Sequence, residues 1–205
     1  MPAQYFIIHP ENPQENLLEK VVNILKKDGV IIIPTDTIYA IACDINSPKA
    51  IDKVSLIKGK TLEKANFSFL FSSFSQVAQY TLPIKDNVFL LMKQYLPGPY
   101  TFILNANNEI PKIFRTRKKT IGIRIPDNKI VKSLVQKLGN PLMSTSLRDE
   151  DVLLEYLTDP EVIYERYKNI VDCIVDGGPG KNVPSTIIDC SNDEPIIIRE
   201  GLGKI

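Results

Sequence analysis

The sequence predicts an α/β protein built as a single domain, and three observations carry that prediction. Short apolar runs rich in β-branched residues, such as Val30–Ile33, do not alternate with polar residues, which suits strands buried on both faces. Segments with apolar residues at helical spacing fall between these runs from one end of the chain to the other. Hydroxyls, arginines and Pro/Gly turns gather just beyond several runs, which is where open α/β sheets collect ligands.

The elements follow in order. "QYFIIHP" is a short strand closed by Pro10, and "ENLLEKVVNILKKDG" is a helix. Its Leu17, Leu18, Val21, Val22 and Leu25 share one face, and Gly29 stands at its end. "VIII" is a buried strand that stops at Pro34. Thr35-Asp36-Thr37 then interrupts the apolar pattern before a second run resumes. "NSPKAIDKVSLIKGK" is a helix with Ser47 as N-cap, Pro48 in the first turn and Gly59 at its stop. "NFSFLF" reads as a strand and "DNVFLLMKQYLPGP" as a helix ended by Pro97. "YTFILN", "TIGIRIP" and "STIIDC" are strands, with the helix "NKIVKSLVQKLGNP" between the second and third. "EVIYERYKNI" is helical, "VDCIVDGG" is a strand, and "EPIIIREG" is the last strand. "SLRDEDVLLEYLTDPE" is the most polar stretch and reads as a surface excursion. No internal repeat, low-complexity tract or linker divides the chain.

Composition narrows the function classes. The length of 205 residues allows one sizeable core, and 43% hydrophobic with 24% charged residues is an ordinary globular balance. A formal net charge of +1 supplies no global field towards nucleic acid or membrane, so such contacts must be local. The three cysteines, Cys43, Cys173 and Cys190, are odd in number and widely spaced, which fits a reducing compartment better than a disulfide framework. His9 is the single histidine, so a His-rich metal site is excluded and a Ser-His triad disfavoured. No apolar run approaches the ~20 residues of a membrane span, and the N-terminus lacks a basic signal region. The expected location is cytoplasmic, with no membrane partner and no metal held by protein side chains.

The polar strand ends carry the candidate chemistry. One cluster is Pro34, Thr35, Asp36 and Thr37; another is Ser144, Thr145 and Ser146; a third is Ser185 and Thr186. Arg124 lies inside "TIGIRIP" and Arg199 inside "PIIIREG", and an arginine within an apolar strand must pair or face a cavity. Both suit an anion such as phosphate. Lys58 and Lys60 bracket Gly59 where a helix runs out, a pattern that fits either a dipole-complementing helix end or two ammonium groups aimed at a ligand. The run "FRTRKK" puts Arg115, Arg117, Lys118 and Lys119 together, which fits an RNA backbone or a solvated loop equally. "DGGPGKNVPST" is not a Walker A loop, because Val175 and Asn182 stand where that motif needs glycine and a hydroxyl residue.

Taken in order, "VIIIPTDTIYAIACDI", "LIKGK", "LPGPYTFIL", "IGIRIPDNKI", "PLMSTSL", "VDCIVDGGPGKNVPSTIIDC" and "PIIIREG" resemble the YrdC/YciO family, which includes the threonylcarbamoyl-adenylate synthases. The resemblance runs from about Gln14 to Gly203. It implies a single-domain twisted open mixed sheet with flanking helices and a concave cationic cavity. It also implies a nucleotidyltransferase reaction: threonine, bicarbonate and ATP, with Mg²⁺, give threonylcarbamoyl-AMP and pyrophosphate for tRNA modification. By position, Thr35, Thr37 and Tyr39 correspond to residues holding the amino-acid or adenylate end. Lys58 corresponds to the lysine facing carboxylate and phosphate, and Thr101, Arg124, Ser144, Ser146, Ser185 and Arg199 to cavity positions around ATP or AMP.

The chain departs from the synthase pattern at three places, one being the "TLEKANFSFLF" that replaces a "KP-L" step after the lysine pair. Lys58-Gly59-Lys60 replaces a Lys-x-Arg pair, keeping charge but losing a bidentate fork. Ser146-Leu147-Arg148 replaces a Ser-x-Asn. These changes, with the opening "YFIIHPENPQ", make the chain more like the YciO branch. Two functions are therefore expected from the resemblance: a synthase with catalytic Lys58 and Lys60 and a phosphate site retuned by Arg148, or a non-catalytic nucleotide and double-stranded RNA (or tRNA) binder.

Overall fold

The computed structural model describes residues 1–59, 67–114, 119–147, 158–192 and 194–205. Among them, ten strands join into one mixed sheet. In chain order these are β1 (Gln4–Ile7), β2 (Ile31–Ile33), β3 (Ala40–Asp44), β4 (Ser68–Leu70), β5 (Tyr100–Asn105), β6 (Thr120–Arg124), β7 (Leu142–Ser146), β8 (Cys173–Asp176), β9 (Thr186–Asp189) and β10 (Ile196–Arg199). The spatial order is β1-β8-β2-β3-β7-β4-β6-β5-β9-β10. The β1/β8, β2/β8, β4/β6 and β5/β9 ladders are parallel, and the other five are antiparallel. The expected α/β class with a mixed sheet and flanking helices is the architecture found.

Among the described residues six α-helices cover the sheet: α1 (Glu15–Leu25), α2 (Pro48–Ile57), α3 (Phe74–Tyr80), α4 (Asp86–Tyr95), α5 (Lys129–Leu138) and α6 (Pro160–Tyr167). Their ends are locally encoded. The Ser47 hydroxyl accepts from the Ala50 N–H at 3.2 Å with Pro48 in the first turn, and the Asn128 side chain accepts from the Val131 N–H at 3.0 Å. Gly139 ends α5 at φ 88°, a left-handed backbone that a Cβ would oppose.

The way the helices divide between the two faces makes the cavity. Helices α2, α3, α4 and α6 pack their buried residues into one large cluster on one face. On the other face, Leu18, Val21, Val22 and Leu25 of α1 join Ile130, Val131, Leu134, Val135 and Leu138 of α5 over Ile31, Ile33, Ala40, Ala42, Leu70 and Leu142. These two helices reach only part of the sheet. Beyond them the same face of β4, β6, β5, β9 and β10 carries no helix among the described residues and lines a cavity.

Three elements depart from the sequence reading. The apolar run after Thr37 is β3, antiparallel to β2 with Ile33 opposite Ala40, so the hydroxyl-rich interruption is the connection of a hairpin. Helix α3 was absent from the sequence reading because its apolar pattern is too short to stand out. Its signal is local, since Ser73 accepts from the Gln76 N–H at 3.2 Å while Gln76 Oε1 accepts from the Ser72 N–H at 2.9 Å, one residue before the N-cap. The final strand was expected within a mostly buried sheet, yet β10 is an exposed edge, with Ile196, Ile197 and Ile198 all accessible.

Candidate functional site

The β2–β3 connection is built by its own side chains. The Thr35 hydroxyl accepts from the Thr37 N–H at 3.0 Å and donates to the Ile38 carbonyl at 2.8 Å. A short hydroxyl side chain that closes such a turn replaces strand hydrogen bonds lost after Pro34. Thr35 is therefore buried as the builder of the loop, while Asp36 and Thr37 are turned towards β6.

There they meet Arg124. One terminal nitrogen, Nη2, donates to Asp36 Oδ1 at 2.8 Å and to Thr37 Oγ1 at 3.0 Å. Both charged side chains are nearly excluded from water, with 8% of Arg124 and 7% of Asp36 exposed. Burial pulls the guanidinium below its ordinary pKa, and Asp36 opposes that shift. The Asp36 carboxylate is held in turn by the Asp127 N–H at 3.2 Å. Among the described residues, Arg124 Nε is the one buried side-chain nitrogen or oxygen with no hydrogen-bond partner. An orphaned, charged donor in a buried position is costly unless a ligand completes it.

Arg124 lines a cavity of about 370 Å³ on the uncovered sheet face. Thr37, Thr101, Ser146, Ser185 and Arg199 line the same cavity. Thr101 Oγ1 and Ser185 Oγ are 2.8 Å apart. From the sheet edge, Arg199 reaches back so that its Nη2 donates to the Ser185 carbonyl at 2.7 Å and to its hydroxyl at 3.3 Å. A β-bulge between Ile197 and Arg199 brings Ile198 and Arg199 both to the cavity. Lys58 ends α2 and donates from Nζ to the Ser146 carbonyl at 3.2 Å, which puts its ammonium at the rim.

Not every expected residue stands on the cavity wall. Tyr39 is fully buried, donating its hydroxyl to the Gly178 carbonyl at 2.7 Å and accepting from the Gly177 N–H at 3.2 Å. It anchors the glycine turn after β8 to the β2–β3 connection, and burial raises its phenol pKa. Ser144 lies behind the wall, its hydroxyl 3.1 Å from that of Ser68, the cross-strand partner that does line the cavity. Lys60, Arg148, Arg115, Arg117 and Lys118 fall outside the described residues. Lys119 is exposed with φ 47° at the start of β6.

Sequence reasoning passed over three residues of this region. Asp36 was named in the Pro34–Thr37 cluster but not as the partner of Arg124, although a carboxylate inside an apolar run predicts a cationic partner as strongly as an arginine does. Ser68, Gly122 and Asp189 also line the cavity. Their signal is the two-residue alternation of "FSFLF", "TIGIR" and "STIID", legible only once the strands are set side by side. Among the described residues no group of three or more His, Cys, Asp or Glu could hold a metal ion. No helix among them is long and apolar enough to cross a membrane.

A family model named Sua5/YciO/YrdC, with the description "Telomere recombination", matches residues 23–201. The chain belongs to this family. The protein YciO of Escherichia coli is 39% identical over 205 residues, covering 99% of this chain and 98% of that one. Its crystal structure superposes with a TM-score of 0.91 over 98% of this chain and 97% of that one. A threonylcarbamoyl-AMP synthase of Coxiella burnetii is 28% identical over 178 residues, 86% of this chain and 94% of that protein. The L-threonine complex of Sua5 from P. abyssi shares the fold at a TM-score of 0.85 and 22% identity, over 96% of this chain and 57% of that one. The family thus holds both synthases and uncharacterised YciO proteins.

Proposed function

We propose that this Sua5/YciO/YrdC-family chain binds ATP in the sheet-face cavity and forms threonylcarbamoyl-AMP, releasing pyrophosphate. The observation that carries this reading is the buried Arg124, whose Nε has no hydrogen-bond partner among the described residues, in a cavity that Thr37, Thr101, Ser185 and Arg199 also line. A phosphate oxygen is the group that such a donor set suits. The family's synthases supply the substrate class.

The chemistry needs no protein nucleophile. The threonine amine and bicarbonate condense, with loss of water, to a carbamate. A carbamate oxygen attacks the α-phosphorus in line, the bond from that phosphorus to the bridging oxygen breaks, and pyrophosphate leaves. Charge builds on the equatorial phosphoryl oxygens and on the leaving group. Arg124, Arg199 and the Thr101–Ser185 pair are fixed before the reaction, so they stabilise that charge without reorganising. Lys58 at the rim serves the carboxylate or the leaving phosphates. Mg²⁺ enters on the triphosphate and its waters, which is how that ion is commonly carried.

Purified protein should release pyrophosphate only when ATP, threonine and bicarbonate are all present. Lys58→Ala should cut that rate by about tenfold or more. Pyrophosphate release equal in the two proteins would sink the reading. ATP binding without pyrophosphate would leave a nucleotide-binding protein and remove the chemistry.

A further inference from the structure

Arg199 stands at the end of β10, and the strand itself holds it loosely. Among the described residues β10 pairs with β9 alone, its register shifts between Ile197 and Arg199, and its four residues are all exposed. Neither burial nor a second neighbouring strand sets where the guanidinium lies. It is placed all the same. Nε and Nη2 donate to the Ser185 carbonyl at 3.2 and 2.7 Å, and Nη2 donates to the Ser185 hydroxyl at 3.3 Å.

The chain just beyond the strand supplies the hold. From Gly201 to Lys204 it folds back along Pro184, Ser185 and Thr186. The Leu202 N–H donates to the Pro184 carbonyl at 2.8 Å. Thr186 Oγ1 accepts from the Gly201 N–H at 2.9 Å and donates to the Gly203 carbonyl at 2.6 Å. Tyr100 completes the clasp, its hydroxyl donating to the Lys204 carbonyl at 2.7 Å. The approach is close: a Cβ at Gly201 would stand 2.6 Å from the Ser185 carbonyl oxygen, and one at Gly203 would run into the Tyr100 ring. A tail outside any strand must find partners for its backbone polar groups, and here one buried hydroxyl serves a donor and an acceptor together.

Thr186 stands off the cavity. Side chains along β9 alternate, so Ser185, Ile187 and Asp189 line the cavity while Thr186 points to the opposite face. Ser185 is thus held from both sides, by the Arg199 side chain on the cavity face and by the main chain of the tail behind it. We propose that Thr186 is a positioning residue for Arg199. By pinning Gly201 and Gly203 just past the strand, its hydroxyl sets the reach of the guanidinium into the cavity. The proposal rests on the reading of the cavity as an anion site, and it names the residue that governs how firmly Arg199 meets the anion.

Thr186→Val keeps the shape of the side chain and removes the hydroxyl, and Thr186→Ser restores it. Calorimetric titration of the full chain with inorganic tripolyphosphate measures the grip on an anion. The Nε–H NMR signal of Arg199, recognised by its loss in Arg199→Ala, measures the placement of the side chain. The valine variant should bind tripolyphosphate about tenfold more weakly and exchange that proton with water about tenfold faster, with the serine variant within about twofold of wild type. In an Arg199→Ala background, Thr186→Val should change affinity by less than about twofold, because its effect runs through Arg199. An equal loss in both backgrounds assigns Thr186 to general stability and overturns the proposal, as does wild-type behaviour of the valine variant. Wild-type protein that does not bind tripolyphosphate sinks the anion reading, and the Arg199 signal then decides alone. Faster exchange in Thr186→Val upholds the positioning role, and an unchanged signal overturns it. If Thr186→Val does not fold, Tyr100→Phe loosens the same tail, and a signal and affinity identical to wild type overturn the proposal.

Discussion

Arg124 and Asp36 illustrate how a charge is kept inside a protein. Neither side chain is solvated, and each is the counter-ion of the other. Removing one partner leaves an uncompensated buried charge, which commonly costs about 3–5 kcal/mol. Asp36→Ala should therefore lower unfolding stability by roughly that amount in urea titrations. Thr37→Val removes only a neutral acceptor and should cost about 1 kcal/mol. Similar losses for the two variants would mean that the ion pair is not the main support. The cysteines give a second residue-level expectation. Burial raises the Cys43 thiol pKa, and pushes Cys173 up to about 12 and Cys190 up to about 11. Thiolate is the reactive form, so the native protein should resist alkylation at pH 8 while denatured protein reacts at all three sites. Arg124 was legible in the sequence because an arginine among isoleucines has no ordinary place to go. Asp36 was legible as a polar strand end but not as the partner of Arg124, because no linear pattern joins two residues so far apart in the chain.

At the scale of elements, the caps and the uncovered face matter most. Asn128 holds the first turn of α5, the helix that closes one edge of the cavity face. Asn128→Ala should cost about 1 kcal/mol, read as a lower midpoint in denaturant with an unchanged slope. Most strands and the long helices were legible from periodicity, and the N-cap of α2 from Ser47, while β7 was read only as a short apolar segment. Helix α3 was not legible, for at 7 residues its Phe74, Val77 and Tyr80 make too short a pattern to stand out. The β2–β3 hairpin was missed for a different reason. Its connection spans Pro34 to Tyr39 and carries none of the Asn-Gly or Asp-Gly signals of a tight turn. The resemblance to a known family identified Thr37, Thr101, Arg124, Ser185 and Arg199 as a set. It also carried Tyr39 and Ser144, whose side chains stand behind that wall rather than on it.

For the whole molecule, strand order is the part that a linear pattern does not contain. Nothing in "STIIDC" or "YTFILN" says that β9 runs parallel to β5, yet that pairing is what puts Asp189 beside Ile103. Burial of the three thiols also has a global consequence. Their pKa values are raised from 9.0 by folding, so the folded chain keeps protons that the unfolded chain releases. Their contribution is complete below that value and declines as pH rises from about 9 towards the folded values. Calorimetric scans should show a falling Tm across that range, and Cys43→Ala should flatten part of the fall. Ligand linkage acts in the other direction. ATP at a hundred times its Kd should add about 2.7 kcal/mol, which for a chain of this size raises Tm by roughly 5–10 °C.

Arg199 reaches the cavity from β10, which is paired on one side only and offers three isoleucines to solvent. A strand so placed is the first part of a sheet to fray, because little buried surface is lost when it lets go. One wall of the cavity is thus an edge strand, and peeling it back would open a side door without disturbing the floor. Amide protons of β10 should exchange early in the free protein and slow sharply once a phosphate-bearing ligand ties Arg199 down, so that the grip on the ligand and the stiffness of the sheet edge are one quantity.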